Sequence, residues 1–179
     1  MFKTLKIYHK IRKISYISHS GKRFSGARFI LRYIKRYFID RLIFIAPTNS
    51  FRMVFYRGMG MNIGHDVFIG DNVLFDRLFP EKISIMDHAS IGDRCIIIAH
   101  ADIPTATPLS LIYPHKVADI VIGKGAWIMP GCIVIPGVRI GDNAVIATGA
   151  VVTGDIPELC LAGGVPAKVL KKLALPEKN

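Results

Sequence analysis

Between Ile122 and Gly154 the chain repeats itself every six residues. Aliphatic side chains stand at Ile122, Ile128, Val134, Ile140, Ile146 and Val152, and the position four further on is small or β-branched at Ala126, Cys132, Val138, Ala144 and Ala150. A helix would space its apolar residues about 3.6 apart and an amphipathic strand two apart, so an unbroken six fits neither. It fits a coil whose flat sides each take six residues, with turns at Gly123, Gly131, Gly137, Gly141, Asn143 and Gly149. One turn of such a coil cannot bury its own apolar face, so the turns must stack.

The same phase is legible earlier. Ile63, Ile69 and Phe75 keep the six, with Val67 and Val73 at the small position. Four extra residues around Leu78 to Glu81, with Pro80 among them, then bulge out before the phase resumes at Ile85, Ile91 and Ile97. From Ala101 to Asp119 the chain leaves the coil in a loop marked by Pro104, Pro108 and Pro114. Loops on a rigid scaffold are where function concentrates.

Charge divides the chain in two. Residues 1–62 hold 14 of the 24 Lys and Arg but a single acid, Asp40, whereas the remainder is close to neutral. Residues 1–26 show no sustained period and read as a loop. Ala27 to Ile45 reads as a helix ending before Pro47, with Ile30, Ile34, Tyr37 and Phe38 on one side and Arg28, Arg32, Lys35 and Arg36 on another. Residues 50–62 read as a short helix or an extended lead-in. The expected organisation is a basic, partly helical arm over 1–62, a repeat domain over 63–172 and a tail over 173–179.

A basic helix rich in Phe and Tyr suits the surface of an anionic membrane, and equally a cover for the open end of the stack. Nucleic acid is not expected, because no recognition motif accompanies the charge. Three cysteines, Cys95, Cys132 and Cys160, argue for packed thiols in a reducing compartment. Lys10, Arg12 and Lys13 interrupt any signal-peptide core, and no segment reaches the ~18 apolar residues of a membrane span. A cytoplasmic protein is expected, with peripheral contact at the inner membrane face an open alternative.

The repeat, together with the closing stretch GDIPELCLAGGVPAKVLKKL, resembles the hexapeptide-repeat acyltransferases, close to the galactoside, maltose and polysaccharide O-acetyltransferases. The resemblance covers roughly Ile63 to Lys172. It implies a mainly β fold, a left-handed parallel β-helix with the aliphatic residue on the axis, preceded by the helical arm and followed by a short tail. It further implies a homotrimer with active sites at the subunit interfaces, acetyl-CoA as acyl donor, a saccharide hydroxyl as acceptor and no metal.

Acetyl transfer from a thioester to a hydroxyl needs a base for the attacking proton, and histidine titrates near working pH. His100, in CIIIAHADIP, stands where a coil face gives way to the loop, which is the place of the family's catalytic histidine. His115, near the return to the coil, is the second candidate. The nearby carboxylates that could orient His100 are Asp76, Asp87, Asp93 and Asp102, of which Asp76 and Asp87 match the family best by position and Asp87 is preferred; Asp76, Asp102 and His115 are assigned to the acceptor side. By resemblance the coenzyme groove is assigned to Trp127, Pro130, Thr148, Thr153 and Gly154, and its phosphates to Lys168 and Lys171.

Three other activities fit a six-residue coil. One is N-acyl transfer to an amino sugar nucleotide or an amino acid, and another is a noncatalytic trimeric scaffold. The third, a zinc-dependent carbonic anhydrase, needs three convergent histidines and lacks here the close pair five apart that the resemblance would require.

Overall fold

The computed structural model describes residues 26–46, 48–102, 107–113 and 115–174. The expected N-terminal loop, the Pro47, Pro104 and Pro114 signals, and the end of the tail lie outside them. Two helices come first, α1 (Gly26–Ile45) and α2 (Asn49–Met59). Thr48 caps α2 by accepting the Phe51 N–H, and Gly60, at φ 106°, closes it in the left-handed region that glycine adopts without strain.

Short strands follow, and the chain visits three sheets in rotation. The first sheet takes β1 (Asn62–Ile63), β4 (Ile83–Ile85), β9 (Ile120–Ile122) and β12 (Arg139–Ile140). The second takes β2 (Phe68–Ile69), β5 (Ser90–Ile91), β10 (Trp127–Ile128), β13 (Val145–Ile146), β15 (Cys160–Gly163) and β16 (Lys168–Lys172). The third takes β3 (Leu74–Phe75), β6 (Ile96–Ile97), β11 (Ile133–Val134) and β14 (Val151–Val152). Within each sheet the coil strands are parallel, and successive circuits lie one above the other.

Register shows what the six-residue period does. Ile63, Ile85, Ile122 and Ile140 are paired in one column, Ile69, Ile91, Ile128 and Ile146 in the next, and Phe75, Ile97, Val134 and Val152 in the third. All are buried, and together they are the axis of the molecule. The small residues Ala89, Cys95, Ala126, Cys132, Ala144 and Ala150 are also fully enclosed, which explains their size: the chain turns inward there and leaves no room. All three cysteines are free and buried.

Partners are 18 residues apart where the repeat is regular, as in Ile122 with Ile140. They are 22 apart across the first circuit, as in Phe75 with Ile97, because of the four-residue bulge, which contains a single 3₁₀ turn (Pro80–Lys82). They are 37 apart across the second, as in Ile97 with Val134, because of the loop. That loop leaves through β7 (His100–Ala101), holds one short helical turn, α3 (Leu109–Ile112), and returns through β8 (Lys116–Val117), which pairs with β7 antiparallel.

Both ends of the stack are covered. Asn49 at the start of α2 donates to the Val67 carbonyl and accepts the Ile69 N–H, and Arg57 donates to the carbonyls of Ile63 and Gly64, so α2 satisfies the open rim of the first circuit. At the far end β16 reverses and pairs antiparallel with β15.

Helix α1 faces the coil with its charged side. Arg36 and Ile43 are buried, while Ile30, Leu31, Ile34, Tyr37, Phe38, Leu42, Phe44 and Ile45 are exposed. Arg36 donates to the Leu78 carbonyl at 2.7 Å and to Glu81 Oε2 at 2.8 Å, and Asp40 accepts from Arg77 at 2.6 Å. The bulge therefore offers acceptors that draw the charged side of the helix inward.

Candidate active site

The bulge and the loop leave the coil at the same corner, where the third sheet gives way to the first. Asp76 directly follows the axial Phe75, and its side chain is almost wholly enclosed, at 1% exposure. Three backbone amides point at it: Leu78 N–H at 2.8 Å and Phe79 N–H at 3.0 Å donate to Oδ1, and Ala99 N–H at 2.9 Å donates to Oδ2. His100 completes the cluster, its Nδ1 lying 2.5 Å from Asp76 Oδ2. The Phe79 ring packs against the imidazole at a centroid distance of 5.4 Å.

These contacts set the charges. Burial pushes the Asp76 carboxyl up, but the hydrogen bond from His100 and the amides of Phe79 and Leu78 outweigh it and hold the group below its ordinary range. An ionised, acceptor-only carboxylate so close to Nδ1 fixes the tautomer: Nδ1 carries the hydrogen, and Nε2 keeps its lone pair. The same hydrogen bond raises the His100 pKa above its ordinary 6.5, against the opposing effect of burial. His100 is thus a basic imidazole, oriented on one side and available on the other.

Beyond Nε2 lies the mouth of the loop. Asp102 Oδ2 is 3.9 Å from His100 Nε2, too far for a hydrogen bond, and Asp102 Oδ1 is 2.6 Å from His115 Nδ1. The other nitrogen of His115 is shielded and has no partner among the described residues. Asp76, His100, Asp102 and His115 therefore form one continuous group, while no cluster able to hold a metal occurs among the described residues.

Asp87 is not part of that group. It lies at the corner between the first and second sheets, where its Oδ1 accepts the His65 N–H at 2.8 Å, and that bond holds its carboxyl low. Asp93 does the same for Asp71 N–H and Asp142 for Lys124 N–H, so Asp87 is one of a set of corner carboxylates tying each circuit to the one before. Gly64 stands opposite because a Cβ there would lie 2.7 Å from the Asp87 amide nitrogen. The expectation that Asp87 orients His100 is corrected: Asp76 occupies that place, and with its oxygens engaged by three amides and an imidazole it is no acceptor-binding group. Phe79 is a contact that the repeat pattern gave no reason to single out.

Most of the residues assigned to the coenzyme lie elsewhere on the chain. Trp127 is half-exposed on the outer side of the second sheet, in line with Val145 and Leu161. Pro130 and Thr148 are exposed at the corner between the second and third sheets, and beside them Gly149, at φ 70°, has open space where a Cβ would be. Lys168 and Lys171 are exposed on β16. Thr153 and Gly154 follow β14 at the corner that also carries His100, two circuits on. One protomer thus presents its basic imidazole at one corner and most of the assigned groove at another.

Residues 119–154 match the bacterial transferase hexapeptide (six repeats). That stretch is a hexapeptide repeat. The chain is 28% identical over 141 residues to YvoF of Bacillus subtilis, a protein named as an acetyltransferase, a match that covers 78% of this chain and 77% of that one. It is 35% identical over 120 residues to a galactoside O-acetyltransferase of Lactococcus lactis, covering 66% of this chain and 56% of the relative. Its fold is that of the hexapeptide-repeat acetyltransferase VCA0836 of Vibrio cholerae, whose structure was solved with acetyl coenzyme A. The two superpose with a TM-score of 0.71 at 24% identity, over 86% of this chain and 94% of that one.

Proposed function

We propose that this hexapeptide-repeat chain is an acetyl-CoA-dependent O-acetyltransferase acting on a saccharide hydroxyl, with His100 as the general base. The observation that carries the reading is the Asp76–His100 pair, one face of the imidazole tied to a carboxylate and the other turned to the loop mouth. The likeness to acetyltransferases, one of them a galactoside enzyme, supports the acyl donor and the saccharide class.

In this mechanism Nε2 of His100 takes the proton of the acceptor hydroxyl as its oxygen attacks the thioester carbonyl. The imidazolium that forms is stabilised by Asp76, which stays ionised throughout. Collapse of the tetrahedral intermediate expels the coenzyme thiolate, which takes the proton back from His100 and leaves as the thiol. Asp102 and His115 border the path to Nε2 and are assigned to the acceptor.

The separation of His100 from Trp127, Pro130 and Thr148 on one protomer supports a homotrimer whose sites are completed between neighbouring copies. There the pantetheine would run past the open backbone of Gly149 and Gly154, with Lys168 and Lys171 at the phosphates. We read the coil as a left-handed β-helix forming a catalytic domain over 63–172, the residues before it as an accessory arm, and the compartment as the cytoplasm, in keeping with three buried free thiols. Incubating the protein with acetyl-CoA and a panel of hydroxyl and amino acceptors, while following thiol release, tests this. Turnover with saccharide hydroxyls supports it, and turnover confined to amines would replace it with N-acyl transfer.

A further inference from the structure

Helix α1 is amphipathic in the reverse of the usual sense. Its side toward the coil carries Arg36, buried and bonded to the bulge, with Arg32, Ile39, Asp40 and Ile43 at least half-buried around it. Its outward side carries Ile30, Leu31, Ile34, Tyr37, Phe38, Leu42 and Ile45, of which Leu31 is 66%, Phe38 62% and Ile45 72% exposed. On α2, Phe51 and Val54 are exposed as well, at 58% and 65%. So much exposed apolar surface calls for a cover.

Charge decides which cover. Lys35 and Arg41 are exposed alongside the apolar strip, and the one acid of the helix, Asp40, is taken by Arg77. The 25 residues preceding α1 add Lys3, Lys6, Lys10, Arg12, Lys13, Lys22 and Arg23 without a single acid. A second copy applied to this face would bring two such cationic regions together, whereas an anionic lipid surface takes the apolar strip into its acyl boundary and the cations into its headgroups. No described helix is long and apolar enough to cross a membrane, so α1 would lie along the surface.

We propose that the exposed face of α1 docks this protein on an anionic membrane surface. Because Arg36 and Asp40 clamp α1 to residues 77–81 of the bulge, docking holds the Asp76–His100 corner close to the lipid. The inference is independent of the acyl-transfer chemistry, since it concerns where the protein sits.

The test is sedimentation of the full-length chain with vesicles of phosphatidylcholine alone or of phosphatidylcholine with phosphatidylglycerol. Expected is binding to the anionic vesicles that weakens with salt. Leu31→Asp with Phe38→Asp should lower the bound fraction at least about tenfold, because two side chains that would enter the acyl boundary become charged. Lys35→Glu with Arg41→Glu should lower it several-fold, on anionic vesicles only. Both double variants should melt like the parent, since the altered side chains are exposed. No binding to either vesicle, or binding that neither variant weakens, would overturn the proposal. So would loss of an oligomer in Leu31→Asp with Phe38→Asp, seen by velocity sedimentation without vesicles, because the face would then be covered by another copy.

Discussion

Asp87 and Asp76 both accept backbone N–H groups at corners of the same coil, yet only one of them tunes a histidine. Asp87 sits at a corner of regular length, is partly exposed and takes one amide from the circuit before. Asp76 sits where four extra residues fold back over the corner. The amides of Leu78 and Phe79 come from that fold, and its ring and backbone shut out water. The carboxylates are chemically alike, and the insertion makes one a tie between rungs and the other the partner of an imidazole.

That contrast can be broken by experiment, and the largest effect should come from the proposed base. His100→Ala is expected to lower kcat/KM by about 10²- to 10⁴-fold, the usual worth of a positioned general base, with its assembly by velocity sedimentation unchanged. An active His100→Ala enzyme would remove the mechanism.

Asp76→Asn should come next. It removes the charge that favours the imidazolium, so the rise of kcat/KM with pH should move to lower pH while its plateau falls by about tenfold or more. It also turns an amide NH₂ or a weaker acceptor toward the N–H groups of Leu78, Phe79 and Ala99, which should cost about 1–3 kcal/mol in denaturant unfolding. A pH profile that did not move would mean that Asp76 is only a structural tie, like its counterpart at the other corner.

In the parent enzyme kcat/KM should rise with pH through a value above 6.5, since under the proposed mechanism His100 must be neutral to act, and its pKa is raised. Stability has its own pH window. The share contributed by the raised His100 is fully present below about 6.5 and is lost as pH rises through the folded value; the share from the lowered Asp76 is present above its ordinary 3.8 and is lost as pH falls through the folded value. Unfolding followed against pH in the parent and in His100→Ala separates the two.

Phe79→Leu should cost about 0.5–1.5 kcal/mol, the worth of an aromatic contact, and a few-fold in rate, read from melting and initial velocities. The smallest effect is expected of Asp87→Asn, whose kcat/KM should stay within about twofold of the parent. A large loss there would reverse the comparison.

The coil was legible because its constraint is local: each circuit asks the same of the residue at every sixth place, and Ile122, Ile128 and Val134 say so without help from the rest of the chain. His100 was legible for a related reason, since it ends the phase where the loop begins. Its partner was legible only as one of a few nearby carboxylates, Asp76 and Asp87 foremost, because the bulge leaves open which of them reaches that corner. Asp76 lies one residue past Phe75 and His100 three past Ile97, so that they meet depends on the path the chain takes beyond β6, which the six-residue period does not give. The sidedness of α1 was hidden too. Periodicity separates the apolar side from the charged side, but which side turns inward depends on acceptors 41 to 45 residues away.

The ends of the stack carry a last consequence. Parallel rungs leave unpaired N–H and C=O groups on their terminal rims, so a bare coil would recruit its own kind and grow into a fibre. Here Asn49 and Arg57 occupy one rim, and the chain doubles back as a lysine-bearing strand on one sheet of the other. The protein carries its own stoppers, and its finite length is written into its sequence at both termini of the repeat.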